Sequence, residues 1–301
     1  MSDSTIEPVR VIGFVGLGRM GTPMATRLVE AGFEVRGFDV VPASLAELQS
    51  RGAAVAASAA EAFAGADAVI LMLPDSGVVE SVLADLQVQA ALDPGTIVVD
   101  MSSSEPERTR ALSVELAGRG VALVDAPVSG GVARAVSGEL AIMAGGEDSD
   151  VRRVEPVLTK LGRIFRSGPV GSGHAVKALN NLMSATHLLV TSEAILAGER
   201  FGVEPRTILA IVNASSGRSG STENKWPNFI LPETYDSGFA LQLMLKDMRI
   251  ATGLIDRMQV AGQLAECAVE IWAKAAEELP PSADHTEIAR WLRERAGNAT
   301  A

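Results

Sequence analysis

The feature that most restricts the fold is a glycine turn set between a strand and a helix. Residues Val9-Arg10-Val11-Ile12-Gly13-Phe14-Val15 form a short apolar, β-rich run of the kind buried in a parallel sheet. Gly16-Leu17-Gly18-Arg19-Met20-Gly21 follows, then a helical pattern through Met24, Ala25, Leu28 and Val29 that stops at Gly32. Glycine at 16 permits a tight turn, at 18 the approach of a pyrophosphate, and at 21 close packing of helix on strand. The first N–H groups of the helix then face the anion. This is a dinucleotide-binding arrangement, with Gly16, Leu17, Gly18, Arg19, Met20 and Gly21 as its cofactor contacts. A second strand, Phe33-Glu34-Val35-Arg36-Gly37-Phe38, ends at Asp39. A carboxylate about 20 residues past the glycines is placed for ribose hydroxyls and repels the extra phosphate of NADP. Val40, Val41 and Pro42 follow it, with no Arg or Lys, so NAD is the expected cofactor and NADP the less favoured one. The other reading of Asp39 is an N-cap for the next helix, with Pro42 in its first turn; the two roles are compatible.

Residues 68–73, 96–99 and 121–124 read as further strands, and 140–144 and 163–166 as closing strands. Helices are expected near 77–91 and 105–117. This alternation predicts an α/β fold, a doubly wound, mostly parallel sheet whose ligands lie beyond the carboxyl ends of the strands. Leu73, Pro74, Ser102, Ser103 and Ser129-Gly130-Gly131 fall there. The last three suit a carboxylate, because glycine lets backbone N–H groups converge beside the serine hydroxyl. An ordinary glycine-rich turn is the alternative.

After Gly171 no further strand is expected, and helical patterns cover 175–197, 205–215, 241–255, 264–278 and 285–295. The break at Gly168-Pro169-Val170-Gly171-Ser172-Gly173 divides the chain into a dinucleotide-binding domain, 1–170, and an all-helical domain, 171–301. Residues 217–234 are polar and irregular and read as a loop over a cleft. From His174 to Ala197 no Pro or Gly interrupts a mostly apolar run, so a long helix opens at the junction. Lys177, Asn181 and Ser184 fall on one of its faces. Burial of a lysine lowers its pKa, and an amine tuned in that way exchanges a proton near neutral pH. Asn181, one turn on, is placed to steady the same reacting oxygen. The alternative is a lysine that snorkels to solvent. Lys246-Asp247 reads as a surface ion pair.

Composition excludes several classes. With 26 basic and 37 acidic residues the formal net charge is -11, and aromatics are 4%, so no nucleic-acid partner is expected. The single cysteine rules out an internal disulfide, and the three scattered histidines suggest no metal site. Residues 1–10 are polar without a signal-peptide core, and no run compels a membrane span. A cytoplasmic protein is the expectation.

Together these motifs resemble the β-hydroxyacid dehydrogenases, in that family's order and over nearly the whole chain. The first runs from Phe14 to Met24; the second is Asp125-Ala126-Pro127-Val128-Ser129-Gly130-Gly131 with Ala135 at the expected offset. The third is Gly171-Ser172-Gly173 with Lys177 and Asn181, and the fourth is Lys246-Asp247. The resemblance implies an oxidoreductase that moves a hydride between NAD and a small 3-hydroxy acid similar to 3-hydroxyisobutyrate. It implies Lys177 as catalytic acid/base and Asn181 as a substrate contact. Ser129, Gly130 and Gly131 become the substrate-carboxylate site. The stretch from Ser215 to Asn224 matches no pattern diagnostic of one substrate, and that stretch and Phe239 are where specificity is expected to lie. Lys246 would close the nicotinamide end, Ser102 or Ser103 would touch the cofactor, and Leu73 and Pro74, at the end of the strand that runs under it, would border it. A homodimer or homotetramer built on the helical domain is also implied. The 6-phosphogluconate dehydrogenase branch is much longer, so the short branch is matched. Where many short-branch members carry Asn followed by Arg, linked to NADP, this chain carries Asp39 and Val40. The rivals are an NADPH-linked semialdehyde or glyoxylate reductase of the same family and a catalytically silent dinucleotide-binding module.

Overall fold

The computed structural model describes residues 8–298; most of the polar N-terminal stretch read above lies outside them. The chain forms two compact units, one through Lys177 and one from Ala178.

The first unit is built on a sheet of β1 (Val11–Val15), β2 (Glu34–Phe38), β3 (Ala54–Val55), β4 (Ala68–Leu71), β5 (Ile97–Asp100), β6 (Ala122–Asp125), β7 (Val128–Ser129), β8 (Leu140–Gly145) and β9 (Gly162–Gly168). Their order is β3-β2-β1-β4-β5-β6-β8-β7, with β9 on β8. Strands from β3 to β6 pair in parallel, β8 runs antiparallel to β6 and β7, and β9 is parallel to β8. This is the doubly wound α/β sheet, and its strand order reverses between β1 and β4.

The helices of this unit are α1 (Gly21–Glu30), α2 (Pro42–Ser50), α3 (Ala59–Phe63), α4 (Ser76–Ala84), α5 (Leu86–Ala91), α6 (Pro106–Ala117), α7 (Gly131–Ser137) and α8 (Asp148–Leu158). Strand side chains alternate between the faces. Ile12, Phe14, Ile70 and Val99 pack on one side with Met24 and Leu28 of α1 and Val154 of α8. Val15, Val69, Leu71 and Val98 pack on the other with Phe63 of α3, Val79 of α4 and Leu112 of α6. Two expectations need correction. The helix expected near 77–91 is two helices, because the Asp85 carboxylate takes the Gln87 and Val88 N–H groups and starts α5 afresh. The strand expected over 68–73 stops at Leu71, and the Leu73 N–H goes to Ser102 Oγ, at 2.9 Å.

Helix α9 (Ser172–Arg200) begins in the first unit and continues through the second, passing Gly198. The rest of the second unit is α10 (Pro205–Asn213), a π-helix over Ser221–Ile230, α11 (Leu241–Arg257), α12 (Gln263–Glu278), a 3-10 turn at His285–Glu287 and α13 (Ile288–Asn298). Its core joins Leu188, Trp226, Met248, Trp272 and Ile288. Among the described residues after β9 the only β pairing is the isolated bridge of Ala240 with Asp284. The π-helix replaces much of the loop expected over 217–234. Pro227 has no N–H to give to the carbonyl five residues back, and that carbonyl, of Thr222, accepts Asn213 Nδ2 instead, at 3.1 Å. Among the described residues no helix is long and apolar enough to cross a membrane.

Candidate active site

Strand register brings the expected cofactor residues of the first unit to the carboxyl ends of the strands, while Lys246 lies on α11 in the second unit. Phe38, Val15, Leu71, Asp100 and Asp125 pair across the sheet in a single row. Asp39, Gly16, Ser102 and Ser103 follow directly beyond that row, as do Leu73 and Pro74. The glycine turn is built as its spacing requires. Gly16 has φ +98°, and a Cβ there would collide with the Met72 carbonyl; a Cβ at Gly21 would collide with the Gly16 carbonyl. At Gly18 a Cβ would meet nothing within 4 Å, and Gly18 and Arg19 are exposed, so the turn presents an open backbone face. That face fits a pyrophosphate at the start of α1. Asp39 Oδ2 accepts the Leu17 N–H at 2.6 Å and Oδ1 the Val41 N–H at 2.8 Å. Its carboxylate thus braces the glycine turn; α2 is capped at Val41, not at Asp39.

The ends of β5 and β6 carry a buried cluster that sequence reasoning missed. Asp125 Oδ1 accepts the Gly171 N–H at 2.7 Å and Oδ2 the His174 N–H at 2.9 Å. It therefore satisfies the first donors of α9, where a negative charge is favourable. His174 Nδ1 is 2.9 Å from Thr109 Oγ1, and His174 Nε2 is 3.7 Å from Asp100 Oδ2. Asp100 in turn accepts the Ser102 N–H and the Ser104 hydroxyl. Lys177, buried, stands one turn past His174 on this anchored helix start. The available signal was the acidic residue that ends each of two neighbouring strands. Ser129 ends β7, half-buried, and Gly130 and Gly131 follow it, exposed and both at positive φ.

In the second unit, buried Asn181 donates through Nδ2 to Asp247 Oδ2 at 2.6 Å. Asp247 is buried on α11, and Lys246 Nζ lies 3.5 Å from its other oxygen. The pair expected at the surface therefore has a buried carboxylate that orients Asn181. Phe239 is half-buried just before α11. Asp284 holds the segment around it, accepting the Gly238 and Phe239 N–H groups, the Ser237 hydroxyl and both donors of Thr286. Burial pushes the Asp284 carboxyl up, but hydrogen bonds from His285 and Thr286 outweigh it and hold it well below the usual carboxylate range. Burial pushes the neighbouring His285 down.

Two family models together match residues 11–292. The NAD binding domain of 6-phosphogluconate dehydrogenase matches residues 11–171, and the NAD-binding domain of NADP-dependent 3-hydroxyisobutyrate dehydrogenase matches 171–292. The chain belongs to the β-hydroxyacid dehydrogenase family. It is 39% identical over 251 residues to an NAD-dependent L-serine dehydrogenase of Pseudomonas aeruginosa, covering 81% of this chain and 84% of that one. It is 38% identical over 242 residues to a 2-(hydroxymethyl)glutarate dehydrogenase of Eubacterium barkeri, covering 80% of each. A 3-hydroxyisobutyrate dehydrogenase of Mycobacterium tuberculosis, solved with L-serine, superposes with a TM-score of 0.89 at 33% identity, over 95% of this chain and all of that one. The chain is a nicotinamide-dependent oxidoreductase of this family, acting on a CH–OH group.

Proposed function

We propose that this dehydrogenase oxidises a small 3-hydroxy acid, a 2-substituted 3-hydroxypropanoate, with NAD preferred and Lys177 as the acid–base group. The observation that carries the reading is α9 itself. Its first turn is fixed by the Asp125 carboxylate, and Lys177 and Asn181 follow on one face, both buried. The compounds named for the three relatives support the substrate class. 3-Hydroxyisobutyrate, L-serine and 2-(hydroxymethyl)glutarate each carry a primary alcohol one carbon from the carboxylate-bearing carbon, and they differ in the substituent on that carbon.

The open face at Gly18, flanked by Leu17, Arg19 and Met20, holds the pyrophosphate between Gly16 and Gly21. Asp39 meets the ribose hydroxyls with the acceptor capacity left after its two backbone bonds. Leu73, Pro74 and Ser102 or Ser103 line the cofactor beyond β4 and β5, and Lys246 closes its nicotinamide end. NAD held there would supply the hydride acceptor for the carbinol carbon. Lys177, as the neutral amine, takes the hydroxyl proton, and in the reverse direction it returns that proton to the aldehyde oxygen. Ser129, Gly130 and Gly131 hold the substrate carboxylate by charge-assisted hydrogen bonds. Asn181, oriented by Asp247, steadies the reacting oxygen, and Phe239 packs against the C2 substituent. We infer a cytoplasmic homodimer or homotetramer: Val176, Met183 and Val190 recur every seven residues on α9 and are exposed, which suits packing against a second copy.

A panel of 3-hydroxyisobutyrate, 3-hydroxypropionate, serine, glycerate, threonate and 4-hydroxybutyrate, each with NAD and NADP, tests the reading by absorbance of the reduced cofactor. Turnover of 2-substituted 3-hydroxypropanoates with NAD, and not of 4-hydroxybutyrate, is expected. No turnover of any 3-hydroxy acid with either cofactor would contradict it.

A further inference from the structure

The π-helix Ser221–Ile230 carries Lys225. Such turns are rare and concentrate at functional sites. The Lys225 amine donates to Ser184 Oγ at 2.7 Å and to the Ser184 carbonyl at 3.4 Å. Ser184 shares with Asn181 the polar face of α9, one turn further on. Lys225 is half-buried, and Asp284 acts on it through space without a hydrogen bond or ion pair between them. Burial pushes its pKa down to about 8, against the opposing pull of Asp284, so the amine is still largely cationic at neutral pH. Among the described residues no carboxylate pairs with this half-buried cation, which is costly, and an anion brought from outside relieves that cost. Two of the three ammonium donors face Ser184, which leaves one to offer.

The geometry points to Lys225 as the site that receives a second anionic group of the substrate, carried at the end of a short side chain on C2. This assignment rests on the dehydrogenase reading above. Three residues of helix separate Asn181 from Ser184, roughly 5 Å along the axis. A side chain of two or three carbons ending in a carboxylate spans that distance. A methyl group or an ammonium group on C2 falls short of it. The substrate class is therefore a 3-hydroxy acid with a second carboxylate on its C2 side chain.

The experiment compares 2-(hydroxymethyl)glutarate with its distal monoamide, matched in size and differing in charge, and with 3-hydroxyisobutyrate. The wild type should favour the diacid over the monoamide by about tenfold or more in kcat/KM, chiefly through KM, as expected when a charge-assisted hydrogen bond is lost. Lys225→Met should bring that ratio close to one, and Lys225→Arg, which keeps the charge, should restore part of it. A structural lysine would change melting temperature and leave the ratio intact, and that result overturns the assignment. If Lys225→Met does not fold, the wild-type ratio decides alone: equal use of diacid and monoamide overturns it. Turnover of 3-hydroxyisobutyrate with indifference to the second carboxylate sinks this assignment and leaves the dehydrogenase reading standing. Failure of all three acids with either cofactor removes both.

Discussion

Both oxygens of Asp39 are tied to backbone, one to Leu17 in the glycine turn and one to Val41 at the start of α2. A single side chain thus holds the turn in shape and sets a negative charge beside it. The sequence showed where the charge would stand but not the bond to Leu17, which depends on how closely β2 lies against β1. For the cofactor the consequence is direct. Asp39→Ser combined with Val40→Arg should move the ratio of kcat/KM for NAD to that for NADP by about tenfold or more toward NADP, since a repulsion is replaced by an attraction. Serine cannot bridge both N–H groups, so KM should rise for both cofactors, and the ratio is the quantity to read. A wild type that already works better with NADP would contradict the NAD assignment. Asp247 teaches a similar lesson: adjacent Lys246 and Asp247 looked like a solvated pair, and only the fold shows that the carboxylate is buried against Asn181.

At the scale of elements, the regular pieces were legible and the irregular ones were not. The core strands announced themselves as short apolar runs, and α9 as a long stretch without Pro or Gly. The π-helix was hidden because Pro227 reads as a breaker in a mostly polar stretch, although Trp226 and Ile230 stand four residues apart as on one helix face. The segment before α11 was opaque for another reason: Asp284, far along the chain, supplies the acceptors that hold Ser237, Gly238 and Phe239. Asp284→Asn should destabilise the protein by about 2–3 kcal/mol at pH 7, because an amide offers one acceptor oxygen where the carboxylate offers two. The pH dependence follows from the depressed value of this carboxyl in the folded state. Its contribution is fully present above the unfolded value, about 3.9, and is lost as the pH falls through the lower folded value. Denaturant unfolding of both proteins at pH 7 and at acid pH checks this: the gap between them should narrow on acidification. A gap that does not change with pH would show that Asp284 holds no stabilised charge.

For the whole molecule, alternation of strand and helix followed by helices alone gave the α/β sheet and the helical remainder, because each pattern admits few ways to bury its apolar face. The glycine turn was legible because its backbone needs glycine at particular places, as at Gly16 and Gly21. The site was not legible where distant residues act through one another. Asp100, Asp125 and His174 form a buried brace at the start of α9 that no local spacing reveals. The central claim is that this anchored helix presents Lys177 as the acid–base group of a 3-hydroxy acid dehydrogenase. The most direct test measures kcat on the best hydroxy acid and NAD affinity on the same preparation of Lys177→Ala, with thermal melting to verify folding. A fall in kcat of about 10²–10⁴-fold, with NAD affinity nearly unchanged, is predicted, since the proposed cofactor contacts are the glycine turn and Asp39 and not the amine. A folded Lys177→Ala protein with near wild-type kcat would contradict the account.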